Sequence, residues 1–176
     1  MREMTDEQLM RRYAKGDAPA FDQLYARHRG ALYRYIRRQV GDEATANDLY
    51  QGVWEKVIRG RRKYRSTSPF TGWLYRIAHN HLVDHYRRAK PAASVDMDTL
   101  GDRQAGPGEQ AIDDQRWQHL RENIAALPVE QRDTLLLKIE GGLKMEEIAS
   151  VTGASRETVK SRLRYALNKL KRSVVE

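Results

Sequence analysis

The polar side chains between residues 156 and 172 have the types and the helical spacing needed to bind duplex DNA. At about 100° per residue, one face of this stretch is apolar and predicts burial of Val159, Leu163, Ala166, Leu167 and Leu170. The opposite face mixes charged, hydroxyl and amide groups: Glu157, Ser161, Arg164, Asn168 and Arg172, with Lys160 on its flank. Such groups on an exposed helix can reach base edges and phosphates in the major groove.

The residues before this helix complete a helix-turn-helix pattern. A short helix is predicted over residues 145–151, with Ile148 and Ala149 inward, and Gly153 then provides the permissive backbone of a tight turn. Ser155 is a good N-cap for the second helix, and Glu157 suits its positive end. The combination is typical of a helix-turn-helix. The alternative is an amphipathic bundle helix whose charged face is solvated.

A second stretch, FTGWLYRIAHNHLVDHYRRAK from Phe70 onward, combines basic and aromatic side chains. If the apolar positions are buried, another side of the helix carries Arg76, Asn80, Asp84 and Arg87. Aromatic rings stack on unpaired bases while Arg and Lys follow phosphates, so this composition suits single-stranded nucleic acid. An amide such as Asn80 can read one extruded base. Burial is the favoured interpretation for Trp73, and nucleic-acid contact for the upstream basic run RGRRKYR at residues 59–65.

Metal-dependent catalysis is the rival interpretation of the same helix. His81 and His85 are four residues apart, which allows chelation from a helix, and Asp84 lies between them. The two histidines also continue the apolar stripe of Phe70, Leu74 and Ile77, which favours packing instead. The sequence contains no cysteine, no glycine-rich phosphate loop and no Ser–His–acid set. We therefore expect no metal, no cofactor, no catalytic residues and no enzymatic activity.

The elements that must position these groups all have helical periodicity. Strand signals are nearly absent, because no apolar–polar alternation is sustained and no Asn-Gly or Asp-Gly turn occurs. Apolar residues recur instead at steps of three and four along most of the chain. Breaks are expected at Gly41-Asp42 and over residues 60–69. The sequence predicts an all-α protein of two small helical domains with eight or nine helices.

Charge divides the chain into three blocks. The net charge is +9 over residues 1–90, −5 over residues 91–115 and +4 over residues 116–176, which together give the overall +8. The middle block has two prolines and three glycines but no apolar period, so Pro91 to about Glu109 is predicted to be a flexible acidic linker. No apolar run is long enough to span a membrane, and the N-terminus has no apolar signal segment. A cytoplasmic protein with a polyanionic partner is expected.

Three motifs in this order resemble the bacterial RNA polymerase sigma factors of the extracytoplasmic-function (ECF) subgroup of the sigma-70 family. DLYQGVWEKV at residues 48–57 is similar to the helix that binds the polymerase clamp. FTGWLYRIAHNHLVDHYRR at residues 70–88 is similar to the promoter-melting and minus-10 segment. Residues 127–172 resemble the domain that reads the minus-35 element. The resemblance implies domain 2 at residues 1–90 and domain 4 at residues 116–176, joined by the linker at 91–115.

The resemblance also implies a function, a role for individual residues and a set of partners. A sigma factor directs promoter-specific initiation by binding core RNA polymerase at its clamp and flap surfaces, and an anti-sigma factor usually holds it inactive. Polymerase binding falls on Asp48, Gln51 and Trp54. Minus-10 binding falls on Arg76, Asn80, His81, Asp84, Arg87 and Arg88. Minus-35 binding falls on Arg156, Lys160, Ser161, Arg162 and Arg164, of which Arg162 lies off the outward face and is expected to contact phosphate.

The sequence departs from the family pattern in two places. Asn47 and Gly52 stand where acidic residues are common near the clamp-binding helix, so weaker clamp docking is expected. Lys144 replaces the usual Ser or Thr cap of the first helix-turn-helix helix, which should cost about 1 kcal/mol. A stand-alone helix-turn-helix regulator is the alternative function, although it leaves the first ninety residues without a role.

Overall fold

Eight helices make up the part of the chain that the computed structural model describes, residues 2–89 and 111–175. They are α1 (Asp6–Ala14), α2 (Ala18–Gln39), α3 (Glu43–Arg59), α4 (Phe70–Ala89), α5 (Ala111–Ala125), α6 (Val129–Ile139), α7 (Met145–Thr152) and α8 (Arg156–Val175). These two ranges contain no strand, and the predicted all-α fold with two helical domains is confirmed.

The N-terminal domain, α1–α4, packs around the apolar stripes that the sequence predicts. Its fully buried side chains come from all four helices: Leu9, Met10, Leu24, Leu32, Tyr35, Ile36, Val53, Val57, Phe70 and Leu74. A capping box begins α1, because the Thr5 hydroxyl accepts from the Gln8 amide at 3.2 Å and the Gln8 side chain accepts from the Thr5 amide at 2.9 Å. At the start of α4 the Phe70 amide donates to the Glu7 carboxylate at 3.0 Å, so α1 also caps α4.

The C-terminal domain, α5–α8, contains the predicted helix-turn-helix in α7 and α8. Gly153 lies between them with φ +73°, a left-handed conformation that glycine adopts without strain. The Ser155 hydroxyl accepts from the Thr158 amide at 3.1 Å and caps α8, as the sequence predicts. Lys144 occupies the N-cap position of α7 and makes no side-chain capping bond.

One predicted core position of α8 is wrong. Val159, Leu163 and Ala166 are buried, whereas Leu167 is 46% exposed. The helical period puts Leu167 on the edge of the apolar stripe, and that edge is open to solvent. Leu167 is therefore a surface residue.

The two domains contact each other directly, with α7 packed on α4 and with α5 and α6 packed on α2. The predicted linker, Pro91 to about Glu109, lies outside the described residues, and the end of the acidic block, from residue 111, belongs to α5. None of the helices described is long and apolar enough to cross a membrane.

A glycine sets the close packing of α3 on α4. A Cβ at Gly52 would lie 2.4 Å from Nε2 of His81, closer than any real Cβ contact. The absent side chain leaves the space that the His81 ring fills. Packing therefore explains why residue 52 is glycine rather than the acidic residue that is common in the family, because any larger side chain there would displace the imidazole of His81.

Substitution of Gly52 by Ala should reveal this packing in a double-mutant cycle. Ala favours a helix over Gly by up to about 1 kcal/mol, but the new methyl group meets the His81 ring and overpacks the contact. We expect the change in the free energy of unfolding to be at least about 1 kcal/mol more favourable in a His81→Ala background than in the native background. Equal changes in both backgrounds, measured by urea unfolding, would contradict the contact.

Substitution of Lys144 by Ser should stabilise the C-terminal domain. The extended backbone at this position suits an N-cap, and a hydroxyl would satisfy one amide of the first turn of α7. We expect the free energy of unfolding in urea to rise by about 1 kcal/mol. Lys144→Ala is the matched control, since it removes the charge without adding an acceptor, and an equal gain from Ala would refute the capping explanation.

Candidate polymerase and promoter interfaces

Helix α4 presents one exposed polar row. Arg76, Asn80, Asp84 and Arg87 are all exposed, with Arg88 beside them. Their orientation follows from the opposite side of the same helix, where Phe70, Leu74, Ala78 and Leu82 are buried against the rest of the domain. Five of the six predicted minus-10 residues therefore share the exposed side of α4, where Arg76 also donates to the Ser150 carbonyl of α7 at 3.2 Å.

His81, the sixth predicted minus-10 residue, occupies a different place. Its half-buried ring faces Gly52 of α3. Burial, and next the positive charge of Lys56, lower the pKa of His81, so its imidazole is uncharged at neutral pH. No group of three His, Cys, Asp or Glu residues within residues 2–89 and 111–175 could hold a metal ion.

Aromatic packing surrounds the start of α4. The Trp73 ring lies 5.2 Å from that of Tyr64 and 6.0 Å from that of Phe70, and it is half-buried. This arrangement agrees with the favoured interpretation of Trp73 as mainly a packing residue. In the neighbouring basic loop, the Arg61 guanidinium lies 5.7 Å from the centre of the Tyr13 ring and donates to the Ile58 carbonyl at 2.7 Å. The other basic side chains of this run are exposed, Arg59 at the end of α3 and Arg62, Lys63 and Arg65 in the loop.

An open aromatic groove of about 460 Å³ runs between α2 and α3. Gln51 and Trp54 line it, whereas Asp48 is exposed on α3 outside the lining. Trp54 is 6% exposed, and its Nε1 is buried with no hydrogen-bond partner in the described structure. A groove with aromatic walls and a few polar side chains can accept a helix from another protein.

Sequence reasoning missed much of this groove. Tyr25, Tyr33, Tyr50 and Ile58 also line it. The Tyr50 ring packs edge-on against Tyr33 at 5.4 Å, and burial together with the Tyr25 hydroxyl raises the pKa of Tyr50 to about 12. The Tyr50 hydroxyl therefore keeps its proton, and the side chains of Asn47 and Glu55 add polar groups to the lining. A concentration of tyrosines on two consecutive helices was the available signal.

The exposed face of α8 has the predicted basic character. Arg156, Lys160 and Arg164 are exposed, while Ser161 and Arg162 are half-buried. The position of Arg162 agrees with its expected place off the outward face. Arg156 pairs with Glu146 of α7 at 3.4 Å, and both side chains are solvated, so the pair contributes little to stability.

Tyr165 adds an aromatic ring to this surface that sequence reasoning did not single out. It is 56% exposed, and the Arg164 guanidinium lies 5.7 Å from the centre of its ring. A basic and aromatic pair can contact both phosphate and base or sugar. The signal in the sequence was an aromatic residue between two polar-face positions of the helix.

Comparison with known families identifies both domains. The sigma-70 region 2 model matches residues 24–91, and the sigma-70 region 4 model matches residues 118–170. These matches cover most of α2 together with α3 and α4, which carry the candidate clamp and minus-10 surfaces, and most of α5–α8 with the helix-turn-helix.

Whole-chain relatives agree with the two family models. The chain is 34% identical to the ECF RNA polymerase sigma factor SigM of Mycobacterium tuberculosis, over 97% of this chain and 85% of that protein. It is 35% identical to the RNA polymerase sigma-H factor of Pseudomonas aeruginosa, over 90% of this chain and 88% of that protein.

Solved structures share the fold. CnrH, in complex with the cytosolic domain of CnrY, superposes with a TM-score of 0.72 at 24% identity over 96% of both chains. RpoE of Bartonella quintana, in complex with the anti-sigma factor NepR, gives a TM-score of 0.70 at 22% identity over 88% of this chain and 96% of that chain. With both domains matched, in this order and along almost its whole length, the chain belongs to the ECF subgroup of the sigma-70 family, whose members direct promoter-specific transcription by bacterial RNA polymerase.

Proposed function

We propose that α3 docks this factor on core RNA polymerase, that α4 recognises and helps to open the minus-10 element, and that α8 reads the minus-35 element. The observation that carries the proposal is the presence of two separate polar faces, one on each domain. Arg76, Asn80 and Arg87 are exposed on α4, and Lys160 and Arg164 are exposed on α8.

Polymerase docking rests on the aromatic groove together with Asp48. Gln51 and Asp48 provide polar groups on α3, and Trp54 provides part of the aromatic wall. Asn47 and Gly52 lack the acidic charge that is common in the family, but Glu55 lines the groove beside its aromatic rings, which favours a partner helix with apolar and basic side chains. The flap surface is proposed to bind the C-terminal domain.

Promoter opening requires tighter binding of the unpaired strand than of the duplex, and no covalent bond is made or broken. Arg76, Arg87 and Arg88 hold the backbone through salt-dependent phosphate contacts. The Asn80 amide hydrogen-bonds to an extruded base, which stabilises the open strand relative to the duplex. The uncharged His81 ring packs against α3 at Gly52 and so helps to hold α4, which carries this row, in place. No catalytic group, metal or cofactor takes part, and the factor acts in the cytoplasm together with the polymerase.

Minus-35 recognition uses α8 in the major groove. Lys160 and Arg164 reach base edges or phosphates, and Arg156, Ser161 and Arg162 position the helix. An anti-sigma factor is proposed as regulator, because the relatives with this fold include complexes with such partners. The decisive experiment is transcription in vitro with purified core polymerase on genomic fragments, and failure to initiate at any site would refute the proposal.

Substitution of Lys160 by Ala should weaken transcription from a promoter that depends on its minus-35 element. Loss of one base or phosphate contact is expected to lower initiation about 10-fold without changing the affinity for core polymerase. Lys171→Ala, at another exposed lysine of α8, is the control and should have little effect. An equal loss of core binding in the Lys160 variant would contradict its assignment to DNA.

Substitution of Asn80 by Ala should slow promoter opening more than it weakens the closed complex. Removing the amide takes away hydrogen bonds made only to an unpaired base, and a loss of about 10-fold in the opening rate is expected. Permanganate footprinting over time measures that rate. A template with a pre-melted minus-10 region should restore initiation, and an unchanged opening rate on duplex DNA would exclude base capture by Asn80.

A further inference from the structure

Tyr165 is the only aromatic residue of α8, and its exposed ring lies on the side of the helix that carries the proposed DNA-reading groups. At about 100° per residue, it lies about 130° around the helix axis from the middle of the buried stripe of Val159, Leu163 and Ala166. The same period puts it about 40° from Ser161, one turn nearer the start of the helix. A side chain in this place faces DNA when α8 occupies the major groove.

The Tyr165 hydroxyl is not used within the described structure. In Tyr35 and Tyr86, by contrast, the hydroxyl donates to another part of the protein, to the Asp133 carboxylate at 2.5 Å and to the Gln39 carbonyl at 2.9 Å. The Tyr165 hydroxyl makes no hydrogen bond to any residue in the ranges 2–89 and 111–175. Both the ring and the hydroxyl are therefore available to a partner.

The guanidinium beside Tyr165 is also available. Arg34 and Arg38 of α2 differ in this respect, because both pair with the Glu140 carboxylate, Nε of Arg34 at 2.9 Å. Arg164 forms no ion pair with a residue that the structure describes, and its guanidinium lies 5.7 Å from the centre of the Tyr165 ring. A cation over an aromatic face is attracted to it. The outward side of α8 thus presents a ring and a cation that hold each other in place.

Thymine is the base that an aromatic ring can distinguish in the major groove. The edges of guanine, cytosine and adenine present hydrogen-bonding groups there, whereas thymine adds its apolar C5-methyl group. A ring that packs on this methyl group removes apolar surface from water, which is favourable. The hydroxyl of Tyr165 and the guanidinium of Arg164 can at the same time donate to a neighbouring phosphate.

We propose that Tyr165 is a specificity-determining residue of minus-35 recognition, and that its ring contacts the methyl group of one thymine in that element. This inference rests on the proposed function of α8. It gives the factor a base preference that Lys160 and Arg164 cannot provide, because a cation recognises hydrogen-bond acceptors and phosphates and not a methyl group.

Deoxyuridine tests this contact, because it pairs with adenine as thymidine does and differs only in lacking the C5-methyl group. The template is a promoter that this factor and core polymerase transcribe, with each thymine of the minus-35 element replaced in turn on either strand. We expect one replacement to lower initiation by the native holoenzyme about 4-fold, as loss of one buried methyl group predicts. The other replacements should have little effect.

Two variants of Tyr165 separate the ring from the hydroxyl. Tyr165→Ala removes the ring, so the sensitive thymine and its deoxyuridine replacement should support equal initiation. Tyr165→Phe keeps the ring and should keep the difference of about 4-fold. Leu167→Ala is the matched control, since Leu167 is 46% exposed on the other flank of α8, and it should also keep that difference.

Equal effects of every deoxyuridine on the native and Tyr165→Ala holoenzymes would overturn the proposal, and so would a minus-35 element without thymine. Tyr165→Ala should retain native helicity and native affinity for core polymerase, because the ring that it removes is 56% exposed. A native holoenzyme whose initiation does not depend on the minus-35 sequence would refute the proposed function instead. If Lys160→Ala weakens initiation while deoxyuridine acts alike with and without the Tyr165 ring, the proposed function stands and thymine recognition by Tyr165 is excluded.

Discussion

Helix α4 packs against α3 and against α7 of the other domain, and the arrangement of the described helices depends on how it is rotated about its axis. Phe70, Leu74 and Leu82 are buried in the N-terminal core, which fixes the rotation of the helix about its axis. The same rotation aims the row from Arg76 to Arg87 outward and aims His79 toward Asp133. One apolar stripe therefore determines both the proposed DNA-binding face and the contact with the second domain.

Local features of this fold could be predicted from the sequence because their causes are local. Ser155 caps α8 through a bond that spans three residues, and Gly153 adopts the left-handed turn, both as the sequence predicts. Leu167 shows the limit of periodicity, since the pattern cannot reveal how wide a stripe the neighbouring helices cover.

The domain contact could not be predicted in this way. Asp133 stands in the sequence between Arg132 and Thr134, where a polar run within a helix suggests a solvated face. All three are buried, and the partners of Asp133 lie 54 to 98 residues away along the chain. Nothing in the local pattern distinguishes such a carboxylate from a surface one. The groove at Trp54 was missed in part for a related reason, because its tyrosines come from two helices and converge only after folding.

The pairing of Glu140 with Arg34 and Arg38 is intramolecular, so its strength does not depend on the concentration of the protein. Both sides of the pair are in one polypeptide, so each domain experiences the other at an effective concentration on the order of millimolar. Diluting the factor in the cell does not loosen the contact. A partner protein that binds the same face of one domain at a far lower concentration must make more favourable contacts than the other domain does. Otherwise it can bind only when the two domains separate spontaneously.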